Sequence, residues 1–464
     1  MKGVKIFTLI AFFAIIAVPL ALFNFKSDAT SEIDNRKLAE YPFSDKADRS
    51  KRWTERTEAY VNDRIGLRDQ MILGYTVVND LAFGKMVHPS YTYGKDGYVF
   101  GAGIYTQNDF GEFHIAFADG IKKMQDYCEQ RNVPFLLVFN PAKPAILTDK
   151  LPSSTNYDRS CIDQFLAELK KRGINYVDNT ETLKQLNDSG TEVFNKKYDA
   201  NHWNDTGAFY GTQNSLKALQ KLCPSVHVND ISEFEVGTKT ETTLPVSKFP
   251  INESVPVYKA KNPARSIASR FTGLPLDKNH AYFDYTMNDL RKKEGAPRVL
   301  MFQGSYINSY GHKYYENAFG ECIQVHNYQN VLNLPLYYNI FKPQAVVFEL
   351  AEYTLKSGYF DYNRLKNLSY NPELKSLAGT FEAPKSLEYD AVSIEKNKDA
   401  RYTTITWKAD EDPQYVWLVL EKAYDMQKGS DGTYSVIVPT AEIDKENVGV
   451  KIKAYVNNDI YVYS

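Results

Sequence analysis

The chain opens on an apolar run, residues 6–23, with Lys2 and Lys5 before it and Lys26 and Asp28 after it. About 18 apolar residues reach the lower limit for crossing a bilayer and exceed the usual core of a cleaved signal peptide. Flanking positive charge keeps the N-terminus in the cytoplasm and exports the rest of the chain. Residues 1–26 therefore read as an N-terminal signal anchor. Ser27-Asp28-Ala29 makes a poor cleavage site, so an uncleaved anchor is favoured. The segment contains no cysteine, which excludes a lipoprotein.

Beyond the anchor the polarity pattern changes several times. Residues 31–52 are polar and extended in character. Over 53–83, Tyr60, Val61, Ile65, Leu67, Met71, Ile72 and Tyr75 recur at spacings near three and four, which predicts helix. A glycine-bounded turn at 94–100 feeds a short strand. Apolar strands then alternate with amphipathic helices: helix 114–131, strand 134–139, helix 160–171, strand 174–178, helix 206–222, and strands 299–302, 323–326 and 345–350. Continuous apolar strands between helices predict an α/β fold, a mostly parallel sheet covered on both faces. Residues 224–297, rich in Thr, Pro, Lys and Ser, break the rhythm and read as an insertion. From about 386 short strands succeed one another (389–394, 402–407, 415–420, 434–438, 448–455), with a turn signal at Gly429-Ser430-Asp431-Gly432. They predict a small C-terminal β-sandwich over 386–464. The middle region, 27–385, is left as one α/β domain.

Composition narrows the function. At 464 residues the chain exceeds the usual single domain. A net charge of −2 with no basic stripe argues against nucleic acid as a partner. The four cysteines, Cys128, Cys161, Cys223 and Cys322, are scattered and form no CxxC pair, so neither a metal site nor a redox motif is expected. No cofactor is called for. One or two disulfides and buried free thiols are equally compatible with that spacing. The 34 tyrosines fill cores or offer flat faces to sugar rings, and composition does not separate the two.

Two segments carry chemistry. In Tyr198-Asp199-Ala200-Asn201-His202-Trp203-Asn204, a carboxylate three residues before an imidazole can fold back onto Nδ1–H and leave Nε2 free as a base. About a hundred residues later, the strand at Val299–Phe302 ends at Gly304-Ser305-Tyr306. A serine at the carboxyl edge of a parallel sheet, ahead of a helix N-terminus, has the position of a nucleophile with an oxyanion site beside it. The flanking residues are not those of a G-x-S-x-G elbow. His202 and Trp203 packing beneath the sheet is the competing reading.

In their order along the chain these pieces resemble the SGNH-hydrolase-like domain of the alginate O-acetylation proteins AlgJ and AlgX and of the related DHHW proteins. The resemblance includes the segments at 32–42, 60–68 and 94–100, Asn140-Pro141-Ala142-Lys143, the His-Trp segment, Gly304-Ser305-Tyr306 and Val346-Val347-Phe348-Glu349-Leu350-Ala351-Glu352. It implies an SGNH-like fold, Ser305 as nucleophile, His202 as general base and Asp199 as its orienting acid. The alginate pattern has its acid two residues before the histidine, where this chain has Ala200. Gly304, Tyr306, Asn327, Lys143 and Trp203 are the oxyanion or substrate candidates.

The function implied is an exported, membrane-tethered serine O-acetyltransferase acting on a cell-surface or extracellular polysaccharide. Its partners would be that polysaccharide, the membrane through the N-terminal helix, and a multi-spanning membrane acyltransferase that relays the acetyl group. A polysaccharide acetyl-esterase with the same triad and a non-catalytic glycan-binding scaffold are the alternatives. Trp407 and Trp417 in the β domain are readable as glycan platforms, though a core role is preferred for each.

Overall fold

The computed structural model describes all residues except 1, 32, 34–35, 106–108, 154, 246, 388–390, 397–400, 430 and 445–448. The strand and turn readings at 389–390, 430 and 448, and part of the 32–42 segment, lie outside the described residues. Seven strands form the main sheet: β1 (Phe135–Asn140), β2 (Tyr176–Asp178), β3 (Arg265–Ser266), β4 (Phe283–Met287), β5 (Arg298–Gln303), β6 (Glu321–His326) and β7 (Ala345–Ala351). Their order is β2-β1-β7-β5-β6-β4-β3. The first five in that order pair in parallel, and β4 and β3 add an antiparallel edge.

The apolar runs are continuous because both faces are buried. Leu137, Phe139, Leu300, Phe302, Val346 and Phe348 point into one core, beneath helix Glu112–Glu129 and helix Ser160–Lys171. Their neighbours Leu136, Val138, Val299, Met301 and Val347 point into the other, against helix Asp205–Leu222. Alternate residues of one strand thus serve opposite cores. The chain winds outward from β1 to β2 and resumes at β5 on the other side, so the carboxyl ends of β1, β5 and β7 meet where winding changes direction. Open α/β sheets form their crevice there.

Three expectations are corrected. The helix read over 53–83 is two helices, Trp53–Arg64 and Arg68–Phe83. Leu67 between them is left-handed, with φ 62°. The 224–297 stretch, in which the sequence pattern predicts no strand, has regular structure of its own. Its Phe234–Thr243 and Pro250–Ala260 strands form a long hairpin, and its Arg265–Ser266 and Phe283–Met287 strands extend the main sheet beyond β6. The C-terminal region contains strands that local pattern did not reveal, Glu382–Lys385, Ala423–Asp425, Gln427–Lys428 and Asp459–Tyr463.

There, a five-stranded and a four-stranded sheet enclose a core that includes Ile405, Trp407, Val416, Leu418 and Val436. Trp417 is fully buried and donates its indole N–H to the Pro372 carbonyl (3.3 Å). Both tryptophans are therefore interior residues. The β region joins the α/β region through a buried cluster in which Tyr127 and Arg131 (3.0 Å) both engage the Asp425 carboxylate. All four cysteines are free thiols. At the N-terminus, Gly3–Ala21 is a helix long and apolar enough to cross a membrane.

Candidate active site

Helix Asp205–Leu222 begins where Asn204 accepts the Gly207 N–H (2.9 Å) as an N-cap. The cap fixes the loop before it. Trp203 turns inward and is wholly buried. Its ring lies so close to the helix that a Cβ at Gly211 would stand 2.5 Å from it. Its indole N–H donates to the Tyr306 carbonyl (3.0 Å). That bond ties the residue after His202 to the residue after Ser305.

Asp199 adopts a left-handed conformation, with φ 57°, which Asp tolerates better than most residues. It folds the carboxylate back over the loop. Asp199 Oδ1 accepts the N–H groups of Asn201 (3.2 Å) and His202 (3.1 Å). His202 Nδ1 lies 2.8 Å from Oδ1 and 2.9 Å from Oδ2. On the opposite side of the ring, His202 Nε2 lies 2.8 Å from Ser305 Oγ. Ala200 points away into a satellite core with Tyr91, Val99, Leu244 and Phe249.

The electrostatics agree with the contacts. Burial opposes charge on His202, but the Asp199 carboxylate and its hydrogen bond outweigh it and hold the imidazole above its ordinary pKa. Burial likewise opposes charge on Asp199, yet the imidazole and the two backbone N–H groups hold the acid below its usual value. The pair is built to place a proton on Nδ1 and a lone pair on Nε2.

Ser305 follows β5 after the single residue Gly304, at the first turn of a short helical segment whose next turn, Ile307–Gly311, is a π-helix. An amide at such an N-terminus has no intrahelical acceptor. Beneath it lies Glu349 of β7, a fully buried acid. Glu349 Oε2 accepts the Gly304 N–H (2.7 Å) and Oε1 accepts the Asn140 amide (2.9 Å). Burial pushes its carboxyl up to about 7, against the pull of those bonds. A Cβ at Gly304 would come within 3.1 Å of Glu349 Oε2 and 3.2 Å of Asn327 Nδ2, so only glycine fits without displacing this floor.

A cleft of about 470 Å³ opens over Ser305 and His202. Residues just past four parallel strands line it: Ala142 after β1, Ser305 after β5, Tyr328 after β6 and Tyr353 after β7. Tyr353 is a residue that sequence reasoning misses. Its hydroxyl makes a short hydrogen bond with Ser305 Oγ and lies 3.5 Å from His202 Nε2. Glu352, also on the wall, is paired with Arg159 (3.1 Å) and accepts from Tyr157 (2.8 Å). Glu349 carries a sequence signal, an acid inside an otherwise apolar strand, whereas nothing local marks Tyr353.

The structure brings Ser305, His202 and Asp199 together. The other candidates direct their polar side-chain atoms elsewhere. The Lys143 ammonium is buried on the carbonyls of Val99 (2.9 Å), Asn195 (2.6 Å) and Lys196 (3.4 Å), and burial lowers it to about 8. The Tyr306 hydroxyl donates to the carbonyls of Pro141 (2.7 Å) and Asn201 (3.0 Å). Asn327 donates to the Glu349 carbonyl (2.8 Å). Gly304 spends its N–H on Glu349, and Trp203 is interior. These residues support the site from behind.

Cys161 lines the same cleft with Sγ 3.3 Å from His114 Nε2. His114 Nδ1 accepts the Gly111 N–H (3.1 Å), so the proton sits on Nε2 and the ring offers the thiol no base. Burial pushes the thiol up to about 11. Of the two, only Ser305 has an imidazole lone pair directed at it, from His202 Nε2 at 2.8 Å.

A mostly parallel α/β sheet with a Ser-His-Asp arrangement at its carboxyl edge accords with an SGNH-like fold. The resemblance expected from the sequence is borne out, since residues 92–249 match the family model described as SGNH hydrolase-like domain, acetyltransferase AlgX. Among solved structures the chain is similar to the O-acetyltransferase domain of Pseudomonas putida AlgJ (16% identity, TM-score 0.43, covering 60% of this chain and 99% of that one). It is also similar to Bacillus cereus PatB1 (17%, TM-score 0.45, covering 58% and 96%). A third is Pseudomonas aeruginosa AlgX (11%, TM-score 0.39, covering 80% and 91%). No curated protein matches the chain.

Proposed function

We propose that this protein is an extracytoplasmic serine O-acetyltransferase, tethered by its N-terminal helix, that carries an acetyl group on Ser305 and passes it to a polysaccharide hydroxyl. The observation that carries this reading is the unbroken relay from Asp199 through His202 to Ser305 Oγ at 2.8 Å, at the base of an open cleft. His202 Nε2 takes the serine proton as Oγ attacks the donor carbonyl, and returns it to the leaving group. Asp199 holds the tautomer and stabilises the imidazolium. The Ser305 amide, at the helix N-terminus, faces the developing oxyanion. In the second half, the sugar hydroxyl takes the place of water, with the same imidazole as its base. Residues 386–464 form a separate β-sandwich domain in this reading, set beside the catalytic region 27–385 to hold glycan.

The acetyl group must arrive from a donor on the outer face, and a multi-spanning membrane acyltransferase is the partner we assign to deliver it. The test incubates the full chain with an acetyl-ester donor and candidate oligosaccharides. Acetylated sugar and an acetyl adduct on Ser305, both absent in Ser305→Ala, support transfer. Free acetate without acetylated sugar would move the assignment to an esterase. Retained glycan binding without either product would leave a scaffold.

A further inference from the structure

Helix Arg68–Phe83 carries its apolar stripe on the outside. Leu67, Met71, Tyr75, Val78 and Leu81 recur at helical spacing, and all five are exposed, Val78 at 61% and Leu81 at 81%. The inward side of the helix has its own contacts, Leu73 and Val77 on the satellite core around Tyr91 and Val99, with the buried Thr76 between them bonded to the carbonyls of Ile72 (2.8 Å) and Val87 (2.7 Å). An amphipathic helix in a globular domain normally turns such a stripe inward. This one is unpartnered, and an apolar face of this length marks a contact surface.

What covers it is indicated by where the helix starts. The end of the N-terminal apolar helix is fastened to the residues just before it. The Gly66 N–H donates to the Pro19 carbonyl (2.9 Å), the Asn24 N–H to the Arg64 carbonyl (2.8 Å), and the buried Arg64 guanidinium returns to the Asn24 carbonyl (3.2 Å). A Cβ on Gly66 would collide with Leu22 at 2.4 Å, so the two segments touch backbone to backbone. Around this junction stands a ring of aromatics from three segments. Phe23 packs on Phe25 (4.8 Å) and Tyr60 (5.6 Å), and Tyr41 on Tyr60 (5.7 Å) and Phe43 (5.8 Å). Trp53, Tyr41, Phe43 and Phe25 are largely exposed. Aromatic belts of this kind sit at the level of lipid headgroups.

We propose that the Leu67–Leu81 stripe is seated in the headgroup–acyl boundary of the bilayer that the N-terminal helix crosses, forming with the aromatic ring a collar that holds the catalytic region against the membrane surface. The inference rests on the reading of the N-terminal helix as an anchor. A lipid surface suits the stripe better than a protein partner because the face is a single convex helix with no charged side chain in it.

The test places a polarity-sensitive fluorophore on Val78→Cys or Leu81→Cys, with Asp188→Cys on the exposed surface of the α/β region as the reference, each in a full-length Cys223→Ser background reconstituted into phosphatidylethanolamine–phosphatidylglycerol vesicles. The stripe labels are expected to shift to the blue, to be quenched by spin-labelled lipid, and to lose iodide quenching by about threefold or more relative to the reference. Iodide quenching equal to the reference on vesicle-bound protein would overturn the collar while leaving the anchor intact. Failure of the chain to float with vesicles would overturn both. Labels shielded from iodide and from lipid-borne quencher alike would overturn it in favour of a protein partner or a second copy.

Discussion

Asp199→Asn isolates the relay because it keeps shape and backbone while removing one function. Asn tolerates the left-handed conformation at φ 57° as well as Asp does, so the loop is retained. The single amide oxygen must occupy the Oδ1 position, since that atom receives the N–H groups of Asn201 and His202. The NH2 group then takes the Oδ2 position, 2.9 Å from His202 Nδ1. The Nδ1–H keeps the Oδ1 position as an acceptor at 2.8 Å but meets an N–H group on the Oδ2 side, so the tautomer with its proton on Nδ1 is held less firmly and Nε2 is a poorer base towards Ser305 Oγ. The imidazolium also loses its counter-charge. Loss of that counter-charge and of the strict tautomer costs up to about four powers of ten in turnover, about 5.5 kcal/mol of barrier. The assay is turnover of a chromogenic acetyl ester against pH, with thermal unfolding as the control for folding. Activity needs neutral His202, whose pKa is held above its ordinary value by Asp199, so the wild-type rate rises with pH through a limb above about 6.5. In Asp199→Asn what activity is left should show that limb at lower pH. A loss smaller than about tenfold, or an unmoved limb, would refute the assignment of Asp199 as the orienting acid.

Two more outcomes are expected from residues outside the triad. Because Ser305 donates to His202, the Tyr353 hydroxyl is the donor to Ser305 Oγ, and Tyr353→Phe should slow acylation by about tenfold with an unchanged melting point; an unchanged burst rate in rapid mixing would show that the contact is idle. Lys143→Met strands three backbone carbonyls and should cost about 2–4 kcal/mol in urea unfolding while leaving the pH limb of activity in place. With the folded ammonium lowered to about 8 and the unfolded one near 10.4, the unfolded chain binds more protons between those values. This lysine therefore makes wild-type stability rise with pH across that window relative to the variant, and a flat difference would refute it.

Much of the fold and of the triad is legible in the chain because the relevant signals are local. β1, β5 and β7 carry continuous apolar runs at 135–139, 299–302 and 345–348, since each feeds two cores, and Asp199 reaches His202 within one loop. The misses are all non-local or masked by periodicity. Ile65-Gly66-Leu67 keeps the helical spacing of its neighbours, and the break appears only because Gly66 must approach the backbone near Leu22. Phe283–Met287 joins the sheet by pairing with a strand whose partner residues lie some forty positions on, which its own sequence does not announce. Tyr353 meets Ser305 only because β7 lies beside β5. The buried orientation of the Lys143 ammonium depends on carbonyls from two other segments, so a lysine beside a cleft motif reads as available when it is not.

The bond from the Trp203 indole to the Tyr306 carbonyl has a consequence for how this architecture can diversify. It makes the gap between base and nucleophile a property of two adjacent buried residues, insulated from the length of chain that separates them. The hairpin carried in that intervening stretch holds the same loop from its other end, because the Glu253 carboxylate accepts the N–H groups of Lys196 (2.7 Å) and Lys197 (2.9 Å) just ahead of Asp199. A change in the hairpin that kept Glu253 would leave the proton transfer in register, and one that lost it would release the loop ahead of Asp199.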